Sequence, residues 1–213
     1  MVGKLQTVFR GLALAVALVL VLIVVITTSP SGFVSPPFFY NDTPSLPRGF
    51  YHAEKTDTLA VGDVLRVCVP ESWSAIARRR GYLDRGNCPG NTSPMGKMVV
   101  ALPGDMVDVR PDGVRVDGRL LSGSTPRLKD SQGRDLDPFF GWLVLGPGEC
   151  FAVNTSYSLS FDSRYFGPVR CVAPFTTLVP AADSNLRVLG RLKAQVQAEL
   201  LQGHPSYPEP SSP

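Results

Sequence analysis

Short apolar segments separated by tight turn signals recur along the middle of this chain, and they restrict the fold more than any other feature. Val64–Val69, Lys97–Leu102 and Met106–Arg110 have the β-branched, apolar composition of strands. The dipeptides Asp112-Gly113 and Asp117-Gly118 are typical of hairpin turns. The pattern predicts a mainly β fold, an antiparallel, barrel-like domain.

Two segments have helical composition instead. Ser72–Arg80, closed by Gly81, predicts a short helix. Ser184–Gln202 places leucines and valines three or four residues apart, which predicts a C-terminal helix with one apolar face that packs on its own domain. The Pro/Ser-rich residues His204–Pro213 predict a disordered tail.

An uncharged apolar run extends from Gly11 to Thr28, and Lys4 and Arg10 precede it. Its length and its basic flank predict a transmembrane helix with the N-terminus in the cytoplasm. The alternative, a cleaved signal peptide, is weaker because no Ala-x-Ala site follows the run. We therefore expect a single-pass protein of the bacterial inner membrane with its catalytic domain in the periplasm. The expected division is a cytoplasmic segment 1–10, an anchor 11–28, a tether 29–40, a periplasmic domain 41–182, and a helix and tail 183–213.

Charge and cysteine content exclude several classes of function. The net charge of +3 is too small to indicate nucleic-acid binding. The four cysteines form no C-x-x-C pair, and with two histidines in the chain no metal site is expected. Disulfides fit an exported domain better. We expect Cys68 to pair with Cys88 and Cys150 with Cys171, because each pair encloses a short segment that leaves the sheet and returns to it. Four free thiols remain the alternative.

Lys97 is the one lysine that opens an apolar run, and an isolated serine, Ser45, lies upstream. Burial disfavours the charged amine and lowers its pKa, so such a lysine can accept a proton near neutral pH. A serine with that partner becomes a nucleophile. The competing interpretation is a surface lysine whose stem covers apolar neighbours.

Four segments resemble the conserved boxes of bacterial type I signal peptidases, in the same order and at similar spacing. They are Thr43–Gly49, Gly62–Val64, Lys97 with Leu102–Asp105, and Ser160–Pro168. The first and last of these, with Asn41 before the first, are most similar to the TraF-type branch, the maturation proteases of conjugative transfer systems. The resemblance covers about residues 41–179 and implies the signal-peptidase β fold.

The resemblance implies a role for each matching residue and requires no cofactor. Ser45 is expected to be the nucleophile and Lys97 the general base. Thr43 and the Ser45 backbone N–H are expected to hold the oxyanion, and Ser160 to bind the lysine. Asp162 and Arg164 are expected to brace the site. A plain salt bridge closing a loop is an equally good description of that pair.

The implied substrates are exported preproteins or a conjugative prepilin, held at the inner membrane. The implied reaction is cleavage by a serine endopeptidase, and in the TraF-type branch the acyl-enzyme can also be resolved by a substrate amine, which gives a cyclic pilin. A conjugation or secretion apparatus is a further expected partner. The alternative from another class is a non-catalytic periplasmic scaffold of such an apparatus, suggested by the terminal helix and tail. A self-cleaving regulator is a third alternative and needs a scissile segment within the chain.

Overall fold

The computed structural model describes Gly11, residues 14–21 and residues 38–201. The chain divides into two compact units, Met1–Pro36 and Pro37–Pro213. In the first unit, Gly11 and residues 14–21 are helical. The predicted cytoplasmic segment 1–10, most of the predicted tether 29–40 and the predicted tail lie outside the described residues.

The predicted membrane anchor is not found. Across the parts of the chain that the structure describes, no helix combines the length and the apolar character needed to cross a bilayer. That finding contradicts the predicted localisation, which rests on a single-pass anchor in the inner membrane. Residues 12–13 and 22–28 of the expected anchor lie outside the described residues.

The second unit is built from two antiparallel sheets. A seven-stranded sheet has the order β1-β2-β11-β3-β4-β9-β10, and a four-stranded sheet has the order β7-β6-β5-β8. The strands are β1 (Phe38–Asn41), β2 (Gly49–Thr56), β3 (Val64–Val67), β4 (Met95–Ala101), β5 (Met106–Arg110), β6 (Gly113–Val116), β7 (Arg119–Leu120), β8 (Gly141–Val144), β9 (Glu149–Ala152), β10 (Val169–Arg170) and β11 (Phe175–Pro180). The mainly β, antiparallel prediction is confirmed.

Strand β4 lies inside the large sheet, between β3 and β9, and is buried at every position. Since side chains alternate along a strand, β4 supplies two apolar clusters. Met98 and Val100 belong to the cluster that also contains residues of the C-terminal helix, and Met95 and Val99 belong to the other. A polar residue on this strand is therefore surrounded by protein on both faces.

Within residues 38–201, three α-helices accompany the sheets, and they are α1 (Glu71–Arg79), α2 (Ser163–Phe166) and α3 (Asp183–Leu201). A short 3-10 helix spans Pro89–Asn91. Helix α3 is amphipathic as predicted. Leu189, Val196 and Leu200 on its apolar face are buried in the first cluster. Arg119 also donates to the Leu200 carbonyl, so α3 packs on its own unit, and the predicted C-terminal helix is confirmed.

Four strands of the large sheet, β1, β2, β10 and β11, were not predicted from the sequence. Strand β1 takes Phe38–Tyr40, which the sequence analysis places in the tether, and pairs them with β2. Strand β2 has the polar sequence GFYHAEKT and is half exposed, so it lacks the apolar run that marks a buried strand. Strand β11 lies between β2 and β3, a pairing with residues more than 100 positions away that no local pattern reveals.

Candidate active site

Strand β4 carries Lys97 into the interior of the sheet. The residue is 5% exposed and pairs in register with Leu65 of β3. Its Nζ donates a hydrogen bond of 2.9 Å to the Ser160 hydroxyl. Burial lowers the pKa of Lys97 to about 8, the negative charge of Asp162 opposes this shift, and the positive charge of Arg164 adds to it. The amine is thus desolvated and held by a neutral acceptor.

The side chain of Asn154 fixes the backbone on both sides of Lys97. Its Nδ2 donates to the Gly96 carbonyl at 3.2 Å, and its Oδ1 accepts from the Met98 N–H at 3.0 Å. Strand β9 ends at Ala152, so this amide extends the pairing with β4 beyond the end of the strand. The position of the Lys97 Cα therefore depends on a buried polar side chain as well as on the sheet.

The Ser160–Arg164 loop supplies the partner of the lysine. Asp162 caps helix α2, because its carboxylate accepts from the Arg164 N–H. The same carboxylate accepts from Arg164 Nε at 2.8 Å and from Nη2 at 2.9 Å, and both side chains are fully buried. Arg164 Nη2 also donates to the Ser160 carbonyl at 3.1 Å, while Asp162 accepts from the Asn154 N–H at 3.1 Å. The bidentate ion pair between Asp162 and Arg164 therefore links Ser160, which binds the lysine, to Asn154.

Aromatic packing holds this loop from the other side. The Phe161 ring lies 4.9 Å from Tyr82 and 5.9 Å from Trp73, measured between ring centroids. Tyr82 and Trp73 belong to the segment that connects β3 to β4, and both lie in the loop that the Cys68–Cys88 disulfide closes within that segment. A second disulfide joins Cys150 to Cys171, and these are the two pairings favoured by the sequence.

The predicted nucleophile lies in the turn between β1 and β2. Ser45 is 7% exposed, and its Oγ lies 3.0 Å from the Thr43 Oγ1. Asn41, the last residue of β1, donates from Nδ2 to the carbonyls of Thr43 at 2.8 Å and Leu46 at 2.9 Å. Tyr51 donates to the Pro47 carbonyl at 2.6 Å, so the turn is tied to both strands that flank it.

The predicted site residues lie in two groups, and residues adjacent to the two groups in sequence pack against each other. One group contains Thr43 and Ser45, and the other contains Lys97, Ser160, Asp162 and Arg164. A Cβ built on Gly96 would lie 2.7 Å from Leu46 Cδ1, so the absence of a side chain at Gly96 lets the residue after Ser45 pack beside the residue before Lys97. Within residues 38–201, Ser45 and Lys97 form no hydrogen bond with each other.

Sequence reasoning missed the two asparagines that position these groups. Asn41-Asp42-Thr43 and Asn154-Thr155-Ser156 fit the glycosylation pattern, which is typical of exposed asparagines in surface loops. Asn41 and Asn154 are 5% and 2% exposed, and their amides are hydrogen-bonded to backbone groups. The signal that could have identified Asn41 is its place at the start of the Asn41-x-Thr43-x-Ser45 motif.

A family model described as signal peptidase, peptidase S26, matches residues 9–177, most of the chain. A probable conjugal transfer protein TraF of Sinorhizobium fredii is 43% identical over 132 residues, which are 61% of this chain and 68% of that protein. A conjugal transfer protein TraF of Agrobacterium fabrum is 43% identical over 131 residues, which are 61% of this chain and 73% of that protein.

Among solved structures, a signal peptidase I of Enterococcus faecalis is similar over 57% of this chain and 97% of its own, with 20% sequence identity and a TM-score of 0.35. A score this low adds nothing to the sequence matches.

Proposed function

The chain belongs to the signal peptidase family, peptidase S26, and we propose that it is a serine endopeptidase in which Ser45 is the nucleophile and neutral Lys97 is the general base. The observation that carries this proposal is the buried Lys97 amine, whose hydrogen-bond partner within residues 38–201 is a hydroxyl and not a carboxylate. A pKa of about 8 leaves a useful fraction of the amine unprotonated near neutral pH.

The reaction follows from these positions. Ser45 Oγ attacks the scissile carbonyl carbon while its proton passes to Lys97 Nζ. The Ser45 backbone N–H, which donates no hydrogen bond within residues 38–201, is available to the oxyanion, and Thr43 is proposed as the second donor. One such donor typically lowers the barrier by about 3–4 kcal/mol. Lys97 then returns the proton to the leaving amine, which departs as the C–N bond breaks and the Ser45 ester remains.

Ser160 and the Asp162–Arg164 pair position the base in this scheme. A hydroxyl acceptor orients the amine without adding a charge that would favour its protonated form. Attack by Ser45 needs a direct approach to Lys97, and such contacts often tighten only when substrate is bound. We call the turn between β1 and β2, residues 42–48, the nucleophile turn. Leu46 of this turn packs against Gly96 of β4, next to Lys97, which supports such an approach.

The names of the relatives suggest the substrate. Both are conjugal transfer proteins, so we propose that this chain matures a protein precursor of a conjugative transfer system. The Ser45 ester can be resolved by water, which releases a linear product, or by an amine of the same substrate, which releases a cyclic one. The two products differ by the mass of one water molecule.

The test uses the full chain with the pilin-type and other exported precursors encoded beside its gene, and mass spectrometry of the products. We expect wild-type protein to release a peptide, and Ser45→Ala and Lys97→Met to release none while remaining folded. Ser74→Ala and Lys193→Met are matched controls, because Ser74 is a buried, hydrogen-bonded serine and Lys193 a paired lysine, both outside the site. Cleavage retained in Ser45→Ala would refute the proposal.

A further inference from the structure

A polar side chain that the proposed reaction does not use lies beside the nucleophile turn. Asn41 is 5% exposed, and its amide nitrogen lies 2.8, 2.9 and 3.3 Å from the carbonyl oxygens of Thr43, Leu46 and Pro47. Carbonyl oxygens can only accept hydrogen bonds, so the amide nitrogen must face them. This fixes the amide orientation and directs Oδ1 toward the other side of the turn.

On that side, Asn41 Oδ1 lies 2.8 Å from the Thr43 hydroxyl, which donates to it. A hydroxyl has one hydrogen, and Thr43 uses it on Asn41. The 3.0 Å contact between Thr43 and Ser45 is therefore a hydrogen bond in which Ser45 is the donor and Thr43 the acceptor. Both hydrogen bonds are therefore donated in the same direction: Ser45 donates to Thr43, and Thr43 donates to Asn41.

We infer that Asn41 is a positioning residue for the nucleophile. Its Nδ2 sets the path of the backbone around Ser45, and its Oδ1 makes Thr43 an acceptor, which holds the Ser45 hydroxyl in one rotamer. The effect on catalysis rests on the proposed function, whereas the direction of the hydrogen bonds does not. For Thr43 to donate to the oxyanion, its hydroxyl has to turn away from Asn41 after Ser45 has given up its proton.

The first arm of the test is independent of activity. In 15N-labelled wild-type protein, the side-chain amide protons of Asn41 should exchange with solvent at least about tenfold more slowly than those of Asn185. Asn41 is 5% exposed and donates to one buried and two part-buried carbonyls, whereas Asn185 donates to one exposed carbonyl. Equal exchange at the two side chains would overturn the inference whatever the enzyme does.

The second arm is a double-mutant cycle on cleavage of a peptide that spans the junction cut by the wild-type enzyme. We expect Asn41→Ala and Thr43→Val each to lower kcat on the order of 10²-fold, since small displacements of a nucleophile have effects of this size. Because Asn41 acts in part through Thr43, the double variant should lose clearly less than the product of the two losses. Losses that multiply would overturn the inference.

Three further measurements separate positioning from folding. Asn185→Ala removes an amide that donates to the Arg48 carbonyl at 2.8 Å at the edge of the same turn, and it should change kcat by less than about twofold. The pH at which the rate is half-maximal should stay the same in Asn41→Ala, because the hydrogen bonds of Asn41 within residues 38–201 go to Thr43, Leu46 and Pro47 and not to Lys97. Asn41→Asp keeps the acceptor for Thr43 but turns an oxygen toward the three carbonyls in place of Nδ2, so it should lose activity about as Asn41→Ala does, and full activity in Asn41→Asp would refute the role of Nδ2.

The two proposals fail in different ways. If wild-type protein and Ser45→Ala process the precursor equally, the Ser45/Lys97 mechanism is wrong while slow exchange of the Asn41 amide still stands. If only wild-type protein cleaves and the cycle is additive, the mechanism stands and the role assigned to Asn41 is wrong.

Discussion

Two lysines in different regions of this molecule have opposite surroundings. Lys97 lies in a fully buried strand and donates to a hydroxyl, whereas Lys193 lies on helix α3 and forms an ion pair with Asp63 at 2.6 Å. The Lys193 side chain is 39% exposed, so water and a carboxylate both stabilise its charge. The comparison teaches that burial with a neutral partner, and not the residue type, makes a lysine a candidate base.

The largest expected effect is on catalysis. Lys97→Met should lower precursor cleavage by roughly 10⁴-fold, because a positioned base is lost along with the activation of Ser45. Lys193→Met should change the rate by less than about twofold. Initial rates measured with equal amounts of folded protein give both values, and a comparable loss in the two variants would break the comparison.

Removal of Arg164 tests the charges around Lys97. Arg164→Met leaves the fully buried Asp162 without its partner, so the free energy of unfolding should fall by about 3–5 kcal/mol. Lys129→Met breaks an ion pair in which both side chains are more than half exposed, and it should cost about 0–1 kcal/mol. Urea denaturation of both variants measures the difference. Equal stability of the two variants would show that the buried pair does not brace the site.

Lys97 should also reduce the stability of the protein. A pKa lowered from 10.5 to about 8 corresponds to about 3 kcal/mol. Between pH 8 and 10.5 the unfolded chain binds more protons at this residue, so wild-type stability rises with pH there and the full penalty applies below pH 8.

Lys97→Met should therefore raise the free energy of unfolding by up to about 3 kcal/mol at pH 7, and the gain should fall away toward pH 10.5. Urea denaturation at pH 7 and pH 10 checks both the size and the direction. A variant that is less stable than wild type at pH 7 would show that the amine is not desolvated as the structure indicates.

The smallest expected effect is the pH dependence of the wild-type enzyme. With a pKa of about 8, the neutral fraction of Lys97 is about one tenth at pH 7 and one half at pH 8, so the rate should rise about fivefold. Ser160→Asp gives Lys97 a carboxylate partner like that of Lys193 and should move this rise to higher pH. Ser160→Ala is the control for loss of the hydroxyl, and a midpoint unchanged in Ser160→Asp would contradict the role assigned to the partner.

The parts of the fold that the sequence predicted are those with a local signature. Strand β5 has the predicted bounds Met106–Arg110, and α3 begins one residue before the predicted start. Strand β2 was missed because its exposed face is polar and its pairing with β11 joins distant residues. The membrane anchor was inferred from an apolar run and its basic flank, and the described part of the chain contains no helix that could span a membrane.

By itself, the sequence determined the antiparallel β class, the amphipathic C-terminal helix and which residues resemble a peptidase site, because periodicity, turn chemistry and motif order are local properties. Only the tertiary structure decided that Lys97 loses its hydration and that Asn41 and Asn154 fix the two halves of the site, whereas the resemblance already implied the contact between Lys97 and Ser160. Desolvation and hydrogen-bond direction depend on neighbours from distant parts of the chain, so no spacing along the sequence could specify them.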